Sequence, residues 1–280
     1  MLKALAAVIA VIFGSVSVPC SAPPTSDQPE TRELPIIMYH QIYKNTKGKY
    51  IVSPQQLEDD FTAILQAGFT PVFLSEVVNW VDGYGTLPPK PIVITFDDGH
   101  YNNMHYGLPI AQKLGIKFMI NPVTSFSKHT VDSNDHSNPN YSHLTWNQIR
   151  GLVDTGLVEI GNHTHRMHRF KPRFGIMKME SESLDEYIAA LKEDIESSQN
   201  FIEGCLVPRP LTFAYPFGKY SKTSRELLLD MGFRALLTCN EWVNNAVQGE
   251  EKTLHNLGRF NRDGHWSSER LLKALDTEAR

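Results

Sequence analysis

The sequence predicts an α/β fold in one domain, built from successive strand–helix units. Short apolar runs of strand type alternate with stretches of helical periodicity from residue 34 onward. No second compositional block, internal repeat or low-complexity tract interrupts the 280 residues. Two of the apolar runs end directly on clusters of ionisable side chains, where an α/β fold collects its chemistry. The alternation alone allows either an open doubly wound sheet or a closed barrel.

In chain order, residues 1–22 carry one Lys, an apolar run over 4–13 and then small residues, as expected of a secretory signal peptide or an N-terminal anchor. The run is short for a membrane span. Cys20 admits a lipid-modified reading, against which the preceding Pro19 stands. Residues 23–33, rich in Pro, Ser and Thr, read as a linker, and residues 34–280 as one α/β domain. Strands are expected at Ile36–Tyr39, 71–74, 92–96, 117–120, 157–160, 211–215, 234–238 and 257–260. Helices lie between them. Ser53 and Pro54 open the first with a cap and a first-turn Pro; Leu57, Phe61, Ile64 and Leu65 share one face, and Gly68 follows the end. The next runs over 102–114 to Gly115, and another over 145–153 from a capping Thr145. Segment 183–202 repeats Leu184, Ile188, Leu191, Ile195 and Ile202 at helical spacing, and helices over 221–231 and 267–275 complete the set. Segment 121–144, with His129, His136, His143, Asp132 and Asp135, is expected as a long loop that rims a substrate groove or carries exposed decoration.

Lys and Arg number 27 against 31 Asp and Glu, with no basic stripe, so nucleic acid is excluded as a partner. No protein partner is indicated, and membrane contact is expected only through an uncleaved anchor or a lipid at the N-terminus. Cys205 and Cys239 sit in an exported, disulfide-permissive setting, and the sequence leaves their pairing open.

Run 157–160 leads into Gly161, Asn162, His163, Thr164, His165, Arg166, Met167 and His168; run 92–96 leads into Asp97, Asp98 and Gly99. Two neutral imidazoles and a carboxylate make a three-ligand set for a divalent metal with a position left for water or substrate, and a second carboxylate beside them can act as base. His163 and His165 face one side if the strand continues, whereas His163 and His168 need a turn between them. Alone, Asp-Asp-Gly is a turn signal and clustered histidines are common surface decoration. Both at strand ends of one chain, in order with a third motif at 213–218, mark a site.

Together with Phe-Ala-Tyr-Pro-Phe-Gly at 213–218, these residues resemble the polysaccharide deacetylases of carbohydrate esterase family four, the NodB homology domain. The family's first motif, Thr-Phe-Asp-Asp-Gly, stands unaltered at 95–99. The resemblance implies a distorted (β/α)7-type barrel with Asp97 as general base and Asp98, His163 and His168 holding a divalent ion, expected to be zinc. The commoner family spacing would put the second histidine at Met167, which cannot serve; a branch with one residue more lands on His168. The backbone N–H of Phe217 is the implied oxyanion donor. Tyr215 is the leading aromatic for sugar contact, ahead of Trp146, Trp242 and Trp266, and His40, ending Met-Tyr-His, is a lining candidate. Where many members carry Arg, this chain has Ala214. Arg259, within the run 257–260, is therefore expected to hold Asp97, while Arg209, between Pro208 and Pro210, is expected at the opposite end of the barrel. His255 is a weak counterpart of the family's C-terminal acid. The implied activity is removal of N-acetyl groups from an N-acetylglucosamine-containing extracellular or cell-wall polysaccharide by a secreted or envelope-associated hydrolase. The alternatives are an O-acetyl (xylan-type) carbohydrate esterase, or a non-catalytic glycan-binding domain on the same fold.

Overall fold

The computed structural model describes residues 29–276. Seven strands, all parallel, form the barrel: β1 (Ile36–Tyr39), β2 (Pro91–Asp98), β3 (Phe118–Pro122), β4 (Val158–Ile160), β5 (Thr212–Ala214), β6 (Ala235–Leu237) and β7 (Phe260–Asn261). Continuous ladders join β7, β1, β2, β3 and β4 in that order, and β5 to β6. The ring closes through two single bridges, Asn162 to Phe213 after β4 and Leu237 to Leu257 before β7. These junctions hold by few bonds: Asn162 N–H to Thr212 O (3.0 Å), Ala214 N–H to Asn162 O (2.9 Å), and Leu257 N–H to Leu236 O (2.8 Å). The protein is thus a (β/α)7-type barrel, distorted where bridges replace ladders.

Strand alternation divides the apolar residues between two environments. Along β2, Ile92, Ile94 and Phe96 join the cluster that packs on the helices, while Val93 joins Met119, Ala214, Leu237 and Leu257 in a second cluster. Each fully buried side chain of this size contributes about 1.5–3 kcal/mol. The helices are α1 (Pro54–Gln66), α2 (Leu74–Val81), α3 (Leu108–Leu114), α4 (Thr124–Ser133), α5 (Trp146–Val153), α6 (Leu184–Gly204), α7 (Lys222–Asp230) and α8 (Ser268–Leu275). Capping boxes start α1, α5, α6 and α7 at Ser53, Thr145, Ser183 and Ser221. No helix among the described residues is long and apolar enough to cross a membrane.

Several local expectations change. Of the expected strand 71–74 only Pro71 pairs, with Thr70 before it, against the start of β2; Leu74 instead opens α2, which buries Val77, Val78, Trp80 and Val81. Segment 102–114 is a π-helical turn, Asn103–Gly107, followed by α3, because Pro109 has no N–H to continue an unbroken helical ladder. The loop expected over 121–144 contains α4. Thr31–Leu34 pairs antiparallel with Asn244–Val247, so the linker boundary expected at residue 33 falls inside a strand. The signal or anchor expected at 1–22 and the linker up to residue 28 lie outside the described residues. Cys205 and Cys239 are both free thiols.

Candidate active site

Alternation along β2 decides what Asp97 meets. Val93, Thr95 and Asp97 share one face of the strand, and Asp97 lies level with Asn121 of β3. Asn121 Nδ2 donates to Asp97 Oδ1 at 2.8 Å. The contact depends on Gly161 next door, where an added Cβ would stand 2.0 Å from Asn121 Oδ1. From β7's side of the ring, Arg259 donates through both terminal nitrogens to both Asp97 oxygens, each at 2.8 Å, and through Nε to Thr238 O at 2.9 Å. Both side chains are buried. Burial alone would push the Asp97 carboxyl up; Arg259, with His163 behind it, more than offsets this and holds it well below the usual carboxylate range. Asp97 is therefore an ionised acceptor at neutral pH.

Asp98 follows in a left-handed conformation, φ 71°, and its carboxylate faces other partners. His168 Nε2 lies 3.4 Å and His163 Nε2 3.7 Å from Asp98 Oδ1, an oxygen that is buried without a hydrogen bond. The ligand atoms of the three residues all lie within 4.8 Å of one another. His163 Nδ1 is 2.7 Å from Ala214 O, which can only accept; this fixes the proton on Nδ1 and leaves the Nε2 lone pair for the cluster. An orphaned carboxylate oxygen facing two imidazole nitrogens suits a divalent cation.

The loop between the two histidines is held from α6. Asp194 accepts the N–H groups of His165 (2.9 Å) and Arg166 (2.7 Å), and Asn162 Oδ1 accepts from Thr164 N–H (2.8 Å) and Ser198 Oγ (3.1 Å). The His165 ring turns to Thr124 Oγ1 at 2.9 Å, so His168, beyond the turn, reaches Asp98.

A cavity of about 650 Å³ opens over this cluster, lined by His40, Tyr50, Phe170, Phe217, Glu241 and Asn261 among others. His40 sits in the wall with its Nδ1 buried and unpaired; burial lowers its basicity despite Asp98 and Asp97 nearby. Tyr215 does not reach the cavity. It is fully buried and stacks on Tyr220 at 4.7 Å, because the following Pro216 and Phe217 turn the chain outward after β5 and leave the tyrosine in the core. Trp146, stacked on Phe201, Trp242, bonded to Asn244, and Trp266, under Arg270, also lie off the lining. Arg209 pairs with Glu203 and lines a separate cavity with Leu211, at the start of β5. His100 is an addition: its Nε2 is 3.5 Å from Asp98 Oδ2 and its ring 4.8 Å from that of His143, whose pKa burial lowers to about 3. Its position directly after Asp98 and Gly99 was the available signal. Asn121 lies one residue past the strand expected at 117–120.

The family model for polysaccharide deacetylase matches residues 84–236. Among curated proteins, the poly-beta-1,6-N-acetyl-D-glucosamine N-deacetylase of Escherichia coli K12 is 24% identical over 237 residues, covering 76% of this chain and 34% of that protein. The Staphylococcus epidermidis protein of the same name is 26% identical over 136 residues, covering 48% of this chain and 43% of its own. The chain thus spans about a third of the E. coli relative's length. Of solved structures, a de-N-acetylase from Aggregatibacter actinomycetemcomitans superimposes with a TM-score of 0.73 at 20% identity, over 86% of this chain and 99% of that one. IcaB from Ammonifex degensii gives 0.70 at 22% identity, over 87% and 97%. These superpositions establish the shared fold.

Proposed function

The chain belongs to the polysaccharide deacetylase family, and from that premise we propose that it is a divalent-metal-dependent hydrolase that removes N-acetyl groups from a polymer of N-acetylglucosamine. The β-1,6-linked polymer for which its curated relatives are named is the favoured substrate. The observation that carries the reading is the convergence of Asp98, His163 and His168 beside a buried, ionised Asp97 at the base of an open cavity.

A cation held by those three donors, zinc by preference, would polarise the acetyl carbonyl and acidify a water. Asp97 takes the water's proton, and Arg259 and Asn121 hold its carboxylate in place through that transfer. The Phe217 amide, where the chain turns left-handed at φ 56° on the cavity wall, is the proposed donor to the oxyanion. His255 lies off the cavity lining, so protonated Asp97 is proposed to return the proton to the departing amine. The apolar run at 4–13 supports work outside the cytoplasm or in the cell envelope.

The test is acetate release from poly-β-1,6-N-acetylglucosamine, chitin oligomers and acetylated xylan, before and after chelation and zinc repletion. Zinc-restored release from the hexosamine polymers is expected. Release from xylan alone would make the protein an O-acetyl esterase, and no release from any would leave a glycan-binding domain.

The ligand loop gives a second test. Asp194→Ala removes the acceptor of two loop N–H groups and is expected to weaken zinc binding by about 10–100-fold, as losses of outer supports to metal ligands do. His165→Ala should change it little. The opposite order in a zinc titration would put His165 in the donor set.

A further inference from the structure

The segment that follows His168 places three phenyl rings beside the donor cluster. Phe170 is 69% exposed and Phe174 39%, yet their rings are ordered against one another and against Phe217: centroids are 4.4 Å (Phe170 to Phe217), 5.2 Å (Phe174 to Phe217) and 5.7 Å (Phe170 to Phe174), with planes within 23° of parallel. Phe217 in turn lies 4.5 Å from the His168 ring. Single exposed apolar side chains are ordinary on protein surfaces, but a near-parallel set at the mouth of a cavity calls for a ligand with a flat apolar face.

The fold holds this set rigidly. Arg173, almost fully buried, donates to Glu182 Oε1 at 2.6 Å and to Met177 O at 2.9 Å, with its guanidinium over the Tyr187 ring. Gly175 N–H closes the loop onto Arg169 O at 2.9 Å. Gly175 itself has φ 54°, and an added Cβ would sit 3.1 Å from Pro216 O, so only glycine lets the loop lie this close to the Phe217 turn. The rings are thus ordered before any ligand arrives, which lowers the entropy cost of stacking.

We propose that Phe170, supported by Phe174, is a specificity-determining residue that stacks on the pyranose next to the one being deacetylated. The inference rests on the hexosamine-polymer reading above and deepens it. A β-linked hexosamine carries its ring substituents equatorially and so presents a C–H face of the shape that an aromatic ring covers. Phe217, touching His168, lies at the reacting sugar. Phe170, one ring further out and still on the lining, falls to its neighbour in the polymer. Recognition then needs at least two adjoining sugars.

The experiment compares N-acetylglucosamine pentamer and monomer as substrates for the zinc-loaded enzyme. Phe170→Ala is expected to raise KM for the pentamer about tenfold, the upper range for one aromatic contact, with the larger part of the effect in KM rather than kcat. The preference for pentamer over monomer should shrink by the same factor, and Phe170→Trp should restore it. An equal loss on both substrates, or a loss confined to kcat, would overturn the proposal and make Phe170 a structural residue. Calorimetric binding of the pentamer to zinc-loaded Asp97→Asn separates the two readings. If the wild-type enzyme releases no acetate but pentamer binding still depends on Phe170, the platform stands and the deacetylase reading falls. If acetate is released and neither binding nor KM responds to Phe170, the platform falls alone.

Discussion

Asp97→Asn enzyme is expected to keep its fold and bind zinc while acetate release falls by about two to four orders of magnitude, the usual weight of a general base. The amide keeps one oxygen to accept from Arg259 and Asn121, but its NH2 group turns a donor toward a buried donor. Some loss of stability, about 1–3 kcal/mol, accompanies the change. Asp98→Asn should fail differently. Its Oδ1 has no hydrogen bond within the protein and faces His163 and His168, so the substitution removes charge where a cation needs it, and zinc content should drop with activity. Circular dichroism, zinc content and acetate release on both variants decide the matter. Near-normal turnover by zinc-loaded Asp97→Asn would sink the base role, and loss of zinc from it would move Asp97 into the donor set.

The second large effect is expected at Arg259. Arg259→Met removes one member of a fully buried bidentate pair, which costs about 3–5 kcal/mol because the other charge is left without a partner. With Arg259 gone, burial, the largest influence on Asp97, is opposed mainly by His163 and His40, and its carboxyl is expected to rise above the ordinary 3.8. The sign follows from linkage. In the wild type the depressed carboxyl contributes stability that is complete above the unfolded value and is lost only as pH falls toward the native one. In the variant the raised carboxyl makes stability fall as pH rises from 3.8 through its new value. The deficit should therefore widen with pH across the carboxylate range and level off above it, and the acidic limb of the pH–rate profile should move up. Melting curves at several pH values give the first, and rate profiles the second. A deficit independent of pH, with an unmoved acidic limb, would leave Arg259 as scaffold. The Asp97→Asn, Arg259→Met double variant should recover part of the lost stability, since no uncompensated charge remains.

The order of strand–helix units, the ends of β2 and β4 as the places where ionisable groups gather, and the set of Asp97, Asp98, His163 and His168 were all legible in the chain. Each is a local matter: apolar periodicity records which face of a segment meets solvent, and a motif occupies consecutive residues. Even the partner of Asp97 could be narrowed, since of two arginines near strand ends only Arg259 lay toward the chemistry. What the sequence left undetermined involves residues far apart along the chain. Closure of seven strands at two single bridges brings Arg259 to Asp97 and the Ala214 carbonyl to His163, so the guanidinium beside Asp97 comes from the residue before β7 and not from position 214. The same turn after β5 that sends Phe217 to the cavity seals Tyr215 in the core, and the close approach of Gly175 to Pro216, more than forty residues on, sets Phe170 against Phe217 beside the site. Barrel closure fixes the relative heights of all seven strands at once through packing and register. That is a property of the whole ring, and no single segment carries it.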